Sequence, residues 1–527
     1  MNEKSSSECL STFPADLPTN KLSPDIETLE DDPPHSLTHS TSHIDGMLDP
    51  VPPYDQISLL HEIAFVFVIT SAQIFTQASV AQTIVAYRAI GNTFGISSIG
   101  ELSWYSSAYS LTVGTFILIA GRLGDMYGLK RIYIAGMLWF AFWSLVCGLV
   151  HYSKSSIFFS VCRALQGIGP AFINPTAAGI FGSYYPVGPR RVLVMCIFGG
   201  AGPTGFTMGS LFSGLITQLG GSWPWFFYAE CIACAVFALL SYFFIPANIG
   251  HVWTTKQTFD YLGAITGVCG LILFNFAWNQ GPVVGWSTPY VYVLLIVGVL
   301  FLALFLYVEH RVDNPLLPPE TLRGDAGALL GCIAAGWSCF GIWIYYVHRF
   351  GFEIEHRTML NMTARLCFIC IGGVYASLFC AYLLPRVKTS WIMLISMCGY
   401  FFGNLLTVLR PANQIFWAQM FVSLILIPFG MDMSFPAATV ILSQNLPQEK
   451  QGVAGSVVNT VVNYSISIGL GIAATVEYYS EKNGHSEKQV IRNAQWTGTG
   501  LGGLGVLIAA AFVFNQVIWS RKKKEEK

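Results

Sequence analysis

The chain has 527 residues, of which 53% are hydrophobic and only 11% are charged. A soluble domain carries about 25% charged residues, so most of this protein's surface is expected to face lipid rather than water. The net charge of −1 gives no basic footprint, which argues against nucleic acid as a partner.

The amino-terminal segment, residues 1–60, is rich in Ser, Thr, Pro, Asp and Glu and poor in aromatic residues. Such a composition cannot bury enough apolar surface to fold, so we expect a disordered tail, either a plain solvated leader or one with regulatory phosphorylation sites. The first apolar run begins only near Ile63, so we expect no short cleavable secretory signal.

Fourteen apolar segments follow the tail, each near the roughly twenty residues that cross a bilayer as a helix. They are residues 62–87, 101–121, 131–150, 156–183, 191–219, 224–246, 260–280, 290–310, 327–349, 360–385, 391–409, 415–443, 452–479 and 497–519. Lys and Arg are concentrated in the connections on one side, together with the basic run 521–527. The pattern predicts an all-α, multi-pass membrane protein with both termini in the cytoplasm.

The connections between these segments are short, so the sequence offers no place for an ATPase domain, and no GxxxxGK[ST] loop is present. Two GxGxxG matches, Gly200–Gly205 and Gly498–Gly503, lie inside predicted spans, where small residues favour close helix packing. The thirteen cysteines lie mostly singly in apolar runs. We therefore expect packing thiols, and neither a metal site nor a cofactor.

The connection between the second and third spans reads GRLGDMYGLKR. An acid among bases at a helix junction can hold one arrangement of two helix bundles and release it in another, whereas a plain positive anchor is the alternative. The predicted conformational latch consists of Gly121, Arg122, Gly124, Asp125, Gly128, Lys130 and Arg131.

The fourth span reads CRALQGIGPAFINP and carries Arg163 about two turns inside the membrane. A cation there costs about 2.5–3.5 kcal/mol unless it faces a cavity or an acid. We expect Arg163 and the neighbouring Gln166 to point inward, in substrate or proton coupling or in a structural ion pair.

In the fifth span, GGAGPTGFTMGSLFSG, Gly202 and Pro203 interrupt the helix and Gly205 and Gly209 share one face. Such a helix can bend and lie tightly against a helix of the other half of the molecule, or it can simply pack generically.

Two acids lie at membrane depth, Asp432 in the twelfth span and Glu230 in the sixth. A carboxyl inside the membrane that gains and loses a proton can couple transport to a proton gradient. Asp432 is the first candidate, opposed by Arg163 and Arg365, and a permanent salt bridge is the alternative. Glu477 lies near a span end, where solvation explains it.

Several amides interrupt otherwise apolar helices, where an unsatisfied amide is costly. They predict either a polar substrate cavity or hydrogen bonds between helices. With Gln166 they are Gln73, Gln77, Gln82, Asn174, Asn459 and Asn463.

The three motifs at 121–131, 162–175 and 199–214 resemble signature motifs of the major facilitator superfamily, and fourteen spans resemble its drug:proton antiporter branch. The strings WYSSAYSLTVGTFILIAGRLGD, NQGPVVGWSTPY and GMDMSFPAATVILS look like fungal aminotriazole-resistance and boron-efflux proteins. Met126 and Leu129 depart from the latch motif, Phe206 and Thr207 from the helix-5 motif, and the first span lacks the aspartate common in this branch.

The resemblance implies two six-helix bundles, 61–250 and 316–520, with two inserted helices in 251–315 and a basic tail, 521–527. It implies a monomer in the lipid bilayer of the plasma or vacuolar membrane that exports a small solute in exchange for H⁺ by alternating access. A facilitative or uptake carrier and a transport-dead sensor remain alternatives. Enzymatic activity is not expected, because the sequence lacks clustered nucleophiles or metal ligands.

Overall fold

A computed structural model describes residues 58–186, 188–247, 249, 259–312, 315–317, 325–444 and 451–525. The predicted disordered tail, 1–60, lies outside these residues except for its last three. The described part of the chain is built from helices and short connections.

Fifteen α-helices account for nearly all of this structure. They are α1 Leu59–Phe94, α2 Ile99–Tyr127, α3 Leu129–Leu149, α4 Ser156–Tyr184, α5 Pro189–Leu219, α6 Pro224–Phe244, α7 Tyr261–Val284, α8 Pro289–Glu309, α9 Asp325–Arg349, α10 Met359–Leu366, α11 Phe368–Leu383, α12 Thr389–Leu409, α13 Gln419–Gln444, α14 Gln451–Lys482 and α15 Glu487–Glu525. A π turn, Phe350–Ile354, follows α9.

Side-chain caps fix where several helices begin. Ser58 accepts a hydrogen bond from the His61 backbone N–H, and Ser155 accepts one from Phe158. Each cap satisfies a backbone donor that the first helical turn leaves free. Serines in the sequence therefore mark the starts of α1 and α4.

Twelve helical stretches in the described residues are long and apolar enough to cross a membrane. The short α10 and α11 together form one of them, Met359–Leu383. Helices α2 and α5 have 29 and 31 residues but are not among the twelve. The predicted all-α membrane fold is confirmed, whereas the count of fourteen spans remains a prediction.

The boundaries differ most at the last helix. The sequence predicts a span over 497–519, but α15 begins at Glu487 and continues to Glu525, into the predicted tail 521–527. Its first turns are polar and lie outside the apolar window on which the prediction depended. They are nevertheless anchored, since Arg492 Nη2 donates to the Arg410 carbonyl at 2.9 Å.

The helices pack as two sets. In the first set, α1–α6, α1 packs on α5, α2 on α4, and α3 on both α4 and α6. In the second set, α9–α15, α9 packs on α14 and α15, and α12 packs on α13 and α15. Contacts of α2 with α14 and of α5 with α10 and α11 join the two sets.

The remaining helices, α7 and α8, pack against each other, and α7 also contacts α2 and α14. Asn275 Oδ1 on α7 accepts hydrogen bonds from Ser467 Oγ of α14 at 2.7 Å and from Asn279 Nδ2 at 2.8 Å. On the α2 side, the Trp104 and Phe276 rings lie 5.3 Å apart. The inserted pair is therefore hydrogen-bonded to α14, while aromatic packing joins it to α2.

Candidate functional site

Arg163, on α4, is fully buried and donates hydrogen bonds to two neighbouring helices. Its Nη1 donates to Ser79 Oγ of α1 at 2.9 Å, its Nη2 to Thr83 Oγ1 at 3.3 Å, and its Nε to the Tyr105 carbonyl of α2 at 3.0 Å. The guanidinium lies 4.3 Å from the centre of the Tyr109 ring. Arg163 therefore points inward, as the sequence predicts, and holds α1, α2 and α4 together.

Glu230, on α6, completes this polar cluster. Its Oε1 accepts from Gln82 Nε2 at 2.8 Å, and its Oε2 accepts from Gln166 Nε2 at 2.9 Å and Ser144 Oγ at 3.2 Å. Gln166 Oε1 in turn accepts from Arg163 Nη1. The cation and the anion are thus linked through the Gln166 amide, which lies one helical turn from Arg163 on the same face of α4.

Asp432, on α13, lies where helices of the two sets meet. Its Oδ2 has no hydrogen-bond partner among the described residues. A Cβ atom built on Gly373 of α11 would lie 3.0 Å from this oxygen and 2.5 Å from Pro203 Cγ of α5. A carboxyl with one unused oxygen is therefore held between α5, α11 and α13.

The structure places neither predicted counter-charge in hydrogen-bond contact with Asp432. Arg163 belongs to the Glu230 cluster, and Arg365, near the end of α10, donates to Asn361 Oδ1 at 2.9 Å. The Arg365 guanidinium lies 5.5 Å from the centre of the Phe416 ring. Of the four predicted proton-coupling residues, only Arg163 and Glu230 are brought together.

The predicted cavity amides fall into four groups. Gln73 and Gln77 lie along α1 beside Gly202 of α5, where a Cβ atom would be 3.3 Å from Gln73 Nε2. Asn174 donates to Thr76 Oγ1 at 3.1 Å. Gln82 and Gln166 belong to the Arg163 cluster, and Asn459 and Asn463 donate to carbonyls of their own helix α14.

The predicted latch is divided between two roles. Gly128 ends α2 at φ +96°, a conformation that favours glycine, and Lys130 Nζ donates to the Tyr242 carbonyl of α6 at 2.8 Å. A Cβ atom on Gly121 would lie 2.9 Å from Ser456 Oγ of α14, in the second set. Lys130 thus fastens α3 to α6 within the first set, whereas Gly121 allows the close contact between sets.

The contacts of Gly124 lie within the first set. A Cβ atom on Gly124 would meet Leu129 Cδ2 at 3.0 Å and Thr176 Cγ2 at 3.1 Å. Arg122 and Asp125 interact electrostatically with each other, and Arg131 is exposed. Their proposed role in a conformational latch remains a prediction.

The helix-5 glycines allow a backbone crossing with α1. A Cβ atom on Gly205 would lie 2.4 Å from the Ile74 carbonyl oxygen, and one on Gly209 would lie 2.4 Å from that of Ala78. The predicted contact with a helix of the other half is therefore wrong for these two glycines, because α1 belongs to the same set. Pro203, on another face of α5, makes the contact with the second set.

Replacing Gly205 with alanine is expected to destabilise the protein by about 1–3 kcal/mol, because the new methyl meets backbone atoms that cannot rotate away. Gly200→Ala is the matched control on the same helix, since nothing lies within 4 Å of a Cβ atom there. The measurement is the thermal unfolding midpoint in detergent. Equal midpoints for the two variants would contradict the close α1–α5 crossing.

The family of this chain follows from comparison with known proteins. A family model described as Major Facilitator Superfamily matches residues 64–470. The chain belongs to this superfamily. It is therefore an integral, multi-pass membrane transporter with the helical fold of that superfamily.

Curated relatives confirm the predicted likeness to the fungal drug-efflux branch. The low affinity ammonium transporter of Saccharomyces cerevisiae is 48% identical, with 89% of this chain and 92% of that protein covered. An efflux pump of Aspergillus terreus is 39% identical, covering 87% and 89%. The aminotriazole resistance protein of S. cerevisiae is 37% identical, covering 88% and 86%.

A solved transporter of the POT family superposes with a TM-score of 0.61 at 15% sequence identity, covering 88% of this chain and 96% of that one. At this identity the likeness concerns the fold alone.

A second ionic cluster, which the sequence analysis missed, joins the two helix sets of this facilitator-superfamily transporter. Arg349 on α9 donates through Nη1 to Glu477 of α14 and through Nη2 to Glu353 Oε2 at 2.8 Å. From α1, Tyr87 OH donates to Glu353 Oε1 at 2.8 Å, and Arg88 Nη2 lies 3.0 Å from the same oxygen. Glu353 thus bonds to both sets at once.

The sequence prediction for Glu477 was wrong, and Arg349 was not recognised as a candidate. Solvation at a span end does not explain Glu477, which is 4% exposed, and Arg349, the last residue of the predicted span 327–349, is fully buried. The available signal was the four-residue spacing of Arg349 and Glu353, which puts an acid and a base on one helix face. A polar segment at a span end reads as a loop unless its partners on other helices are known.

Proposed function

We propose that this transporter exports a small polar solute in exchange for protons, by rocking of the first helix set against the second around a central site. The observation that carries this proposal is Asp432, whose unused carboxyl oxygen lies between α5 and α11, where the two sets meet. In this proposal 61–250 and 316–520 are the moving bundles and 251–315 holds the inserted pair.

We assign the proton to Asp432 rather than to Glu230. Both Glu230 oxygens accept hydrogen bonds from side-chain amides and a hydroxyl, and Arg163 is attached through Gln166. Such a saturated network holds one geometry. Asp432 Oδ2 has no partner in the described residues, so a proton or a polar solute can bind it without first breaking a bond.

The solute path in this proposal runs beside α1 and α5. Gln73 and Gln77 border Gly202, one residue before the Pro203 that packs on Gly373 next to Asp432. The groups offered are amides and one carboxyl, which suit a small hydrogen-bonding solute or a weak base. Asn459 and Asn463 of α14 bond their own helix and are proposed to meet the solute only after a change in helix arrangement.

The Arg349 cluster is proposed as the gate at one end of this path. It lies where α1 ends, which is the outer end if both termini are cytoplasmic as the Lys and Arg distribution predicts. Tyr87 and Arg88 reach Glu353 across the boundary between the sets. Opening this end requires those bonds to break, whereas the bonds of Arg349 within the second set can persist.

Export is favoured by the efflux and resistance relatives, and the plasma membrane is the proposed location. A second candidate function, movement of ammonium or another small cation, is favoured by the 48% identical relative and by the single carboxyl at the junction. Passive passage of a cation would use Asp432 as a binding group without a proton cycle.

The test is transport by the purified full-length protein in liposomes with an imposed pH gradient and a panel of aminotriazole, borate and ammonium. Gradient-dependent movement of aminotriazole or borate is the expected result. Movement of ammonium alone, unaffected by the pH gradient, supports the second candidate. Absence of movement for the whole panel, with intact folding, contradicts the proposed substrate class.

A further inference from the structure

Two buried acids meet on the inserted helix pair, outside the path described above. Asp260 caps α7, where its Oδ1 accepts from the Gly263 backbone N–H at 2.8 Å. Glu309 ends α8, and its Oε2 accepts from the Leu317 backbone N–H at 2.9 Å. Asp260 is 7% exposed and Glu309 is 2% exposed. In each carboxyl, one oxygen therefore accepts a backbone hydrogen bond and the other oxygen is buried.

The second oxygen of each carboxyl lies beside Gly263, which has no side chain to separate them. Neither Asp260 Oδ2 nor Glu309 Oε1 has a hydrogen-bond partner in the part of the chain that the structure describes. A Cβ atom on Gly263 would lie 2.1 Å from the first and 2.9 Å from the second, so the oxygens are at most 5.0 Å apart, the sum of these distances. Two buried, unpartnered carboxyl oxygens on one side of a glycine repel each other when both are charged, so a positive ligand between them would be stabilising.

Among the described residues, few charged side chains lie on the elements next to this pair. Helix α7 carries no charged residue, and His310 and Arg311 follow Glu309 on the chain, with Arg311 5.3 Å from the Tyr307 ring centre. Of the helices packed on α7, α2 has Glu101 in its first turn and Arg122 and Asp125 near its last turn. The charged residues of α14 are Glu477, Glu481 and Lys482, which lie near the C-terminal end of that helix.

We propose that Asp260 and Glu309 hold one proton between Oδ2 and Oε1, as a proton-binding site of the inserted pair that is separate from the solute path. A proton needs only two acceptors, whereas Ca²⁺ takes about six to eight oxygen ligands and Mg²⁺ about six. Loss of the proton places two like charges side by side where α7 begins and α8 ends. The packing of this pair therefore weakens as the pH on that side rises.

The test is the thermal unfolding midpoint of the full-length protein in detergent, from mildly acidic to mildly alkaline pH. The folded pair binds a proton that the unfolded chain releases, so stability is lost as the pH rises, with an expected fall of about 2–4 °C. Glu309→Gln supplies a permanent N–H donor to Asp260, and this variant should lose most of that pH dependence. The exposed Glu481→Gln is the control and should keep it.

A Glu309→Gln protein with the wild-type pH dependence would overturn the proposal. If this variant does not fold, Asp260→Asn repeats the test from the other side, since asparagine also caps helices. Addition of Na⁺, Mg²⁺ or Ca²⁺ identifies a different ligand. A rise in the alkaline midpoint of the wild type that Glu309→Gln lacks would mean that a metal ion, and not a proton, occupies the site.

Discussion

Asp432→Asn is expected to reduce transport driven by the pH gradient at least about tenfold, corresponding to about 1.4 kcal/mol or more. The amide cannot take up or release a proton, so the solute and proton movements become uncoupled. Exchange of solute across the membrane without a gradient should persist, because the residue keeps its size and polarity. The measurement compares both modes in liposomes with whichever panel solute the wild type moves.

Glu101→Gln, an acid-to-amide change at the start of α2, is the matched control and should leave both modes unchanged. If Asp432→Asn retained wild-type gradient-driven transport, the proton would have to be carried elsewhere. Glu230 would then be the next residue to test. Loss of exchange together with gradient-driven transport would instead assign Asp432 to solute binding.

Arg349→Met is expected to destabilise the protein by about 3–5 kcal/mol. Arg349 bonds two buried acids, Glu353 and Glu477, and its removal leaves both charges without their main partner. Leaving a buried charge without a partner costs far more free energy of folding than the intact ion pair contributes. The effect should appear as a lower thermal unfolding midpoint and a lower yield of folded protein.

Neutralising the acids as well provides an internal check. The triple variant Arg349→Met, Glu353→Gln, Glu477→Gln should recover much of the lost stability, because it leaves no buried charge at the centre of the cluster. Arg357→Met is the control on a partly exposed arginine whose contact with Glu355 is longer, at 3.6 Å. A triple variant no more stable than Arg349→Met would show that packing, and not charge, determines the loss.

The sequence predicted the helices well because their apolar length is a local property. Arg163 and Gln166 were recognised since a cation deep in an apolar run must find a partner, and the structure gives them Glu230. The predicted opposition of Asp432 to Arg163 or Arg365 is not found, because the pairing of an acid with an arginine depends on which helices become neighbours.

Gly205 and Gly209 show the same limit of sequence prediction for helix packing. Their spacing indicates a close helix contact, and that contact exists. The identity of the partner, α1 rather than a helix of the other set, is a property of the tertiary arrangement. The Arg349 cluster was missed for this reason too, since its five members come from three separated parts of the chain.

The hydrogen bond that Ser467 of α14 donates to Asn275 of α7 makes the two bodies of the proposed motion unequal. In the proposed rocking motion, α7 and α8 travel with α14, so the boundary between the moving bodies also includes the aromatic contact of Trp104 with Phe276. Packed aromatic rings can slide past one another, whereas a hydrogen bond would have to break before the helices could move. In this proposal the body that contains α14 is therefore the larger one, since it includes the inserted pair α7 and α8.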